Sequence, residues 1–398
     1  MSSSSILLIN FTASTIIILT ILKSSTRARA SAGICCNSII SFGDSLSDTG
    51  NLLRLSSSNY PPDHFFLPPY GESFFHHPTG RCSDGRLIID FIAENLGLPL
   101  IPPYLAGKDF GEGVNFAVAG ATAIDDSFFR ERGIHNPFTN VSLGTQLGWF
   151  KDMLDSFCIK SSDCKEFLRS SLVLMGEIGS NDYNHAFFQG RKLEEVKTFV
   201  PVVVSKISSA IKELIEFGAL NLIVPGKLPI GCSAACLTYF QSSNKDDYDM
   251  ATGCIKWLNK FSKYHNKILK TEINRIRELH PHATIIYADY YNAAMKLYRS
   301  PNKYGFKGGA LTACCGAGGP YNYNASVPCG YPPSTSCDNP SLYVSWDGLH
   351  LTEAAYRWIA RGLLQGPYST PSINRICIPA PISNLCSMPG KENAISPN

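Results

Sequence analysis

An α/β fold, three layers with a parallel sheet between two sets of helices, is what the 398-residue sequence predicts. Three observations predict it. Short apolar runs of strand character alternate with longer segments whose apolar residues recur at helical spacing. Most of these segments end at glycine or proline, the residues that interrupt regular backbone. No internal repeat or interdomain linker breaks the alternation, so residues 33–378 read as one domain.

Taken in order, Ser38 to Phe42 is a buried strand ending at Gly43. Arg86 to Leu96 is a helix stopped by Gly97. Leu143 to Phe157 and Leu193 to Phe217 are further helices, the second closed by Gly218. Ser171 to Ile178 and Asn221 to Val224 are strand-like, ending at Gly179 and at Pro225-Gly226. Asp247 to Leu279 reads as one long helix closed by Pro281, Ala283 to Ala288 as a β-branched strand, and Thr352 to Leu364 as a last amphipathic helix. Strands separated by helices pair in parallel, with both faces of the sheet covered. Pro301 to Pro340, rich in Gly, Pro, Asn and Cys, reads as a surface insertion stapled by disulfides. Residues 379–398 read as a disordered tail.

The composition, 44% hydrophobic and 17% charged, supplies an ordinary globular core, and the net charge of +3 excludes the basic excess of a nucleic-acid binder. Ile6 to Leu22 is apolar and uncharged, and Ala30-Ser31-Ala32 follows as a small-residue cleavage site. Residues 1–32 therefore read as a secretory signal peptide, although the basic residues Lys23, Arg27 and Arg29 follow the apolar run instead of preceding it. An uncleaved anchor is the rival reading, against which the run is short for the roughly 20 residues of a membrane span. Cleavage removes three basic residues and leaves the mature charge near zero (+3 − 3). No stable membrane association is expected after it.

Fourteen cysteines and the sequons at Asn140 and Asn324 agree with export, to the extracellular space, apoplast or vacuole. Proximity in sequence suggests the pairs Cys158/Cys164 and Cys329/Cys337. Cys232-x-x-x-Cys236 and Cys314-Cys315 lack partners at zinc spacing, so no metal is expected.

Four segments carry chemistry. Phe42 to Asn51 runs from a strand into a Gly-Asp-Ser turn. Ser45 then lies beyond the carboxyl end of a parallel strand, where ligands bind, at the start of a helix with backbone N–H groups beside it. A serine hydroxyl needs a base to become a nucleophile, and His350 in Trp346 to His350 is the residue type that accepts and returns such a proton. Asp347, three residues earlier, is placed to fold back onto the imidazole and fix its tautomer. A developing oxyanion needs donors: the Ser45 N–H, the small-residue segment around Gly120, and Asn181 in Gly179 to Asp182. Taken singly, each segment reads equally as a helix cap or a turn. Asp44 and Asp48 read as local hydrogen-bonding residues of the nucleophile turn, and Arg81, Arg86 and Asp90 as structural ion pairs or caps. Phe128, Phe129, Tyr183 and Trp346 neighbour the four segments and are the guess for substrate-pocket walls.

The segments occur together and in order, as FGDSLSDTGN, NFAVAGAT, GSND and WDGLHLTEAAY. In this the chain resembles the plant GDSL esterase/lipase family of SGNH hydrolases, over roughly residues 34 to 366; GRCSDGRLIIDFIAENLGLP and YADYYNA add to the likeness. The resemblance implies a flavodoxin-like SGNH fold, Ser45 as nucleophile, His350 as base, Asp347 as its orienting carboxylate, and Ser45, Gly120 and Asn181 around the oxyanion. It implies a carboxylic ester hydrolase acting on small-molecule esters without a cofactor. The likeness is greatest to members acting on acetylated alkaloids or sinapate esters. An acyltransferase using the same residues, and a non-catalytic binding or storage relative, are the alternatives. No G-x-S-x-G, P-loop, dinucleotide or H-E-x-x-H motif is present.

Overall fold

The computed structural model describes residues 36–56, 63–107, 110–158 and 160–373; the expected signal peptide and the tail beyond residue 378 lie outside them. Six strands form the main sheet: β1 (Ser38–Phe42), β2 (Gly113–Asn115), β3 (Ser171–Met175), β4 (Asn221–Pro225), β5 (Thr284–Ala288) and β6 (Ser369–Thr370). Their order is β6-β5-β4-β3-β1-β2. β1 pairs in parallel with both β2 and β3, and β3, β4 and β5 continue in parallel. Only β6, at the edge, is antiparallel.

All five residues of β1, β3 and β4 are buried, which is why these strands read as unbroken apolar runs. Successive side chains enter opposite cores. Ile40, Phe42, Val173, Met175, Leu222 and Val224 face one hydrophobic cluster, while Ile39, Leu172, Leu174 and Ile223 face the other. The first core is covered by α2 (Leu143–Phe157), α5 (Leu193–Phe217) and α6 (Lys256–Leu279). The second is covered by α1 (Ile88–Asn95), α7 (Tyr290–Arg299) and α8 (Glu353–Gln365). The short α3 (Ser161–Arg169) leads into β3, and α4 (Ser180–Phe188) leaves it.

The strand order 2-1-3-4-5 turns back on itself between β1 and β3, and ligands bind outside the carboxyl ends of the strands at such a switch point. The loops after β1 and β3 meet there. Gly43 has φ +142°, and a Cβ on it would stand 3.0 Å from the Glu177 carbonyl oxygen, so a side chain would push the loops apart.

The strand read as Ser171 to Ile178 ends at Met175, and two further elements differ from the sequence expectation. The long helix starts at Lys256, not near Asp247, because Asp249 Oδ1 accepts the N–H groups of Ala251 and Thr252 and the Thr252 hydroxyl. That turn competes with helix, and the Cys232–Cys254 disulfide follows it directly. Ser45 sits in a turn closed by Asp48 N–H on the Asp44 carbonyl at 2.9 Å; helix begins only at Asn51.

Candidate active site

The nucleophile turn is held from both sides. Gln146 of α2 exchanges two hydrogen bonds with the Gly43 backbone, at 2.9 and 2.8 Å. Asp44 Oδ1 accepts the Leu46 N–H at 3.0 Å. Asp48 Oδ1 accepts from Gly50 and Asn51, and its Oδ2 from Leu52 and, at 2.8 Å, from Ala119. The last bond carries the segment around Gly120 up against Ser45. Burial pushes the Asp48 carboxyl above the usual range, against the pull of these four N–H groups.

His350 and Asp347 lie between the strand Tyr343–Ser345 and α8, whose first turn is capped by Thr352. His350 Nε2 is 2.8 Å from Ser45 Oγ, and Nδ1 is 2.6 Å from Asp347 Oδ2. Asp347 Oδ1 accepts the N–H groups of Leu349 and His350 at 2.9 and 2.8 Å. The Tyr70 hydroxyl donates to Asp347 Oδ2 at 2.8 Å. Burial works to raise the Asp347 carboxyl, but the adjacent His350 and these bonds outweigh it and hold the group below the usual carboxylate range.

Opposite His350 are three groups able to donate to an anion. Among the described residues, the Ser45 and Gly120 N–H groups have no protein acceptor. Asn181 Nδ2 donates to the Ala121 carbonyl at 3.0 Å and lies 3.4 Å from Asp44 Oδ2, and an amide nitrogen has two hydrogens to give. Gly120 has φ +83°, and a Cβ there would stand 2.8 Å from Phe138 Cβ, so this close approach admits glycine only.

Ser45 opens on two cavities. One, of about 80 Å³, is walled by Asp44, Glu177, Ser180, Leu228, Pro229 and Ile230. The other, of about 490 Å³, carries Gly120 and Asn181 on its wall together with Phe65, Phe138, His185, Phe188, Tyr239 and Tyr323.

The sequence guess for the pocket walls is corrected: Phe128, Phe129, Tyr183 and Trp346 line neither cavity. Phe128 and Phe129 pack on Phe199 of α5, with centroids 5.2 and 6.4 Å apart. Tyr183 is fully buried, stacked edge-on to Phe261 and hydrogen-bonded to His265 Nδ1 at 2.8 Å. Trp346 is fully buried against Tyr70. Nearness in sequence misleads here because of periodicity. On α4, Asn181, Asn184, His185 and Phe188 stand at i, i+3, i+4 and i+7 and share the cavity face, whereas Tyr183 points into the core. That spacing, counted from Asn181, was the signal that would have found the three. Tyr70 and Phe65 meet Asp347 and His350 from the other end of the chain, and Tyr323 comes from the disulfide-stapled insertion, so none leaves a local signal.

Arg81 clamps Asp90 with two bonds at 2.9 and 2.8 Å, and Arg86 joins Glu353, the structural pairing expected of them. Cys158 pairs with Cys164 as expected. The Cys329/Cys337 expectation is corrected: Cys314 bonds Cys337, and Cys315 bonds Cys329. The adjacent cysteines 314 and 315 each take a separate partner, which sequence proximity does not reveal. Asn140 and Asn324 are both exposed. No helix among the described residues is long and apolar enough to cross a membrane.

Comparison with known proteins places the chain in a class first. A GDSL esterase/lipase of Arabidopsis thaliana is 56% identical over 349 residues, which is 87% of this chain and 89% of the relative. Another from the same plant is 58% identical over 343 residues, 86% of each. A protein named sinapine esterase, from Brassica napus, is 56% identical over 346 residues, 86% of this chain and 89% of that one. The chain is thus a carboxylic ester hydrolase. The family model described as GDSL-like lipase/acylhydrolase matches residues 39–363, and the chain belongs to that family.

Proposed function

We propose that the protein is a secreted serine esterase that hydrolyses small carboxylic esters, acetyl or hydroxycinnamoyl, of plant secondary metabolites. Ser45 Oγ attacks the ester carbonyl while His350 Nε2 takes its proton. The oxyanion rests against the N–H groups of Ser45 and Gly120 and the Asn181 amide. His350 then protonates the departing alcohol, and the acyl-serine remains. Water enters, gives its proton to His350 and attacks the acyl carbon; the acid leaves as Ser45 regains the proton. The observation that carries this reading is the unbroken series Asp347–His350–Ser45, at 2.6 and 2.8 Å, ending at two unpaired backbone N–H groups. The relative named for sinapine supports the hydroxycinnamoyl arm. The exposed sequons and the described disulfides support passage through the secretory pathway, to apoplast or vacuole.

The test is turnover of p-nitrophenyl acetate, butyrate and palmitate by the mature chain. The short esters are expected to be cleaved, with Ser45→Ala inactive and Asn181→Ala lowered by about 10²–10³ in kcat. A folded Ser45→Ala protein with wild-type turnover would overturn the nucleophile, and an Asn181→Ala protein with full kcat would overturn the oxyanion role.

A further inference from the structure

We infer that the cavity of about 490 Å³ beside Ser45 is a subsite for a hydroxylated aromatic ring of the ester, with His185 Nε2 accepting a hydrogen bond from the ring hydroxyl. The inference rests on the esterase reading above and deepens it, by separating aryl esters from simple acetates.

Size comes first. A cavity of this volume is within the 300–1,000 Å³ range of small-molecule sites and far exceeds an acetyl group. Its walls are aromatic. Phe65 stands edge-on to the His350 ring, at 5.9 Å between centroids, and Phe138 stands 5.6 Å from Phe65. Also on its walls, Phe188 meets Tyr239 at 4.7 Å, and Tyr239 meets Tyr323 at 6.3 Å. A planar ring entering this aromatic lining gains offset or edge-to-face contacts. Charge is absent from the walls except at Asp347, whose two oxygens are committed to Tyr70, His350 and Leu349. Away from the oxyanion donors the cavity therefore offers no countercharge to a carboxylate or phosphate.

His185 supplies the polar handle. It is 8% exposed, 6.3 Å from the Phe138 ring, and its Nε2 has no hydrogen-bond partner among the described residues. A neutral imidazole with its proton on Nδ1 presents a lone pair at Nε2, the atom left without a partner. Burial holds the imidazole neutral, with its pKa lowered to about 4. An unpartnered buried acceptor is costly, and the group that satisfies it must be a donor. A phenolic hydroxyl is such a donor on an otherwise apolar ring. His185 and Gly120 line the same cavity, which links ring recognition to the oxyanion side of Ser45.

The test uses Ser45→Ala protein, which leaves bound esters intact, and reads binding by calorimetry. Methyl 4-hydroxycinnamate is expected to bind roughly fivefold or more tightly than methyl cinnamate. The preference should fall toward one when His185→Phe is added. 4-Hydroxyphenyl acetate against phenyl acetate is the second arm. A hydroxyl preference in the first pair places the ring on the acyl side, and in the second pair on the alcohol side; either supports the subsite. Equal affinities within both pairs would overturn it even if His185→Phe failed to fold, as would an undiminished preference in a folded His185→Phe protein. Tighter binding of acetylcholine than of either hydroxylated ester would also overturn it, making the rings a cage for quaternary ammonium. Turnover of p-nitrophenyl acetate by wild type is read separately, so failure of the nucleophile assignment is distinguishable from failure of the subsite.

Discussion

Asp347 is buried and yet held ionised, and the reason lies first in the adjacent His350. His350 Nδ1, the N–H groups of His350 and Leu349, and the Tyr70 hydroxyl all point at its two oxygens. The electrostatic effect of the adjacent His350, with the bonds from His350 and Leu349, exceeds the desolvation penalty, so the folded pKa lies below the usual carboxylate value. A carboxyl depressed in the folded state stabilises the fold fully above its unfolded pKa, about 3.9, and loses that contribution as pH falls through the folded value. Asp347→Asn tests both consequences. The amide cannot stabilise an imidazolium or fix the Nδ1–H tautomer, so kcat should fall by about 10⁴ with KM little changed. The variant should also melt below wild type at pH 7, with the gap narrowing only below about pH 4. A gap constant down to pH 2 would mean that Asp347 contributes no charge-dependent stability. The Asp-His pair was legible because the two lie three positions apart in one turn. Tyr70 was not, being 277 residues from Asp347 in the chain.

α1 shows the same logic for an element. Its second face would be a plain amphipathic helix, but Asp90 at its third position is fully buried and serves two roles. It accepts the Leu87 N–H at 2.8 Å, closing the first turn, and takes the two-pronged Arg81 guanidinium. Removing Arg81 leaves a buried carboxylate without its countercharge. Arg81→Met is therefore expected to cost about 3–5 kcal/mol in denaturant unfolding, and Arg81→Met with Asp90→Leu to recover part of it. An Arg81→Met cost below 1 kcal/mol would show that Asp90 does not depend on this countercharge. Elements were legible where their apolar spacing is regular. Leu143–Phe157 and Leu193–Phe217 have the bounds their apolar spacing predicts. The start of Lys256–Leu279 was hidden, because the Asp249 turn carries helix-compatible residues and its competing bonds are made only by side chains. Cavity walls were the least legible, since Phe65, Phe138, Tyr239 and Tyr323 come from four loops or short elements that only the fold brings together.

Across the whole molecule, stability and site are built from different parts. The two cores flanking the sheet rest on buried aliphatic and aromatic side chains, each contributing about 1.5–3 kcal/mol by burial. The disulfides between described residues close short loops, with separations of 6, 22, 23 and 14 residues, and none ties one strand of the main sheet to another. Two of them border the cavities instead. Cys329, bonded to Cys315, is on the wall of the large cavity, and Cys232, bonded to Cys254, ends the Pro229–Ile230 segment that walls the small one. The double variant Cys315→Ser/Cys329→Ser should accordingly keep its far-UV circular dichroism and unfold cooperatively. It should lose about 3 kcal/mol, the chain-entropy value for a loop of this length. Its kcat/KM should fall further for methyl 4-hydroxycinnamate than for p-nitrophenyl acetate, because Tyr323 and Pro328 lie on the freed segment while Ser45, Asn181 and Gly120 follow sheet strands. Loss of the cooperative transition would show that the insertion carries the core. An equal fall for both esters would show that it positions the reacting groups and not the cavity wall.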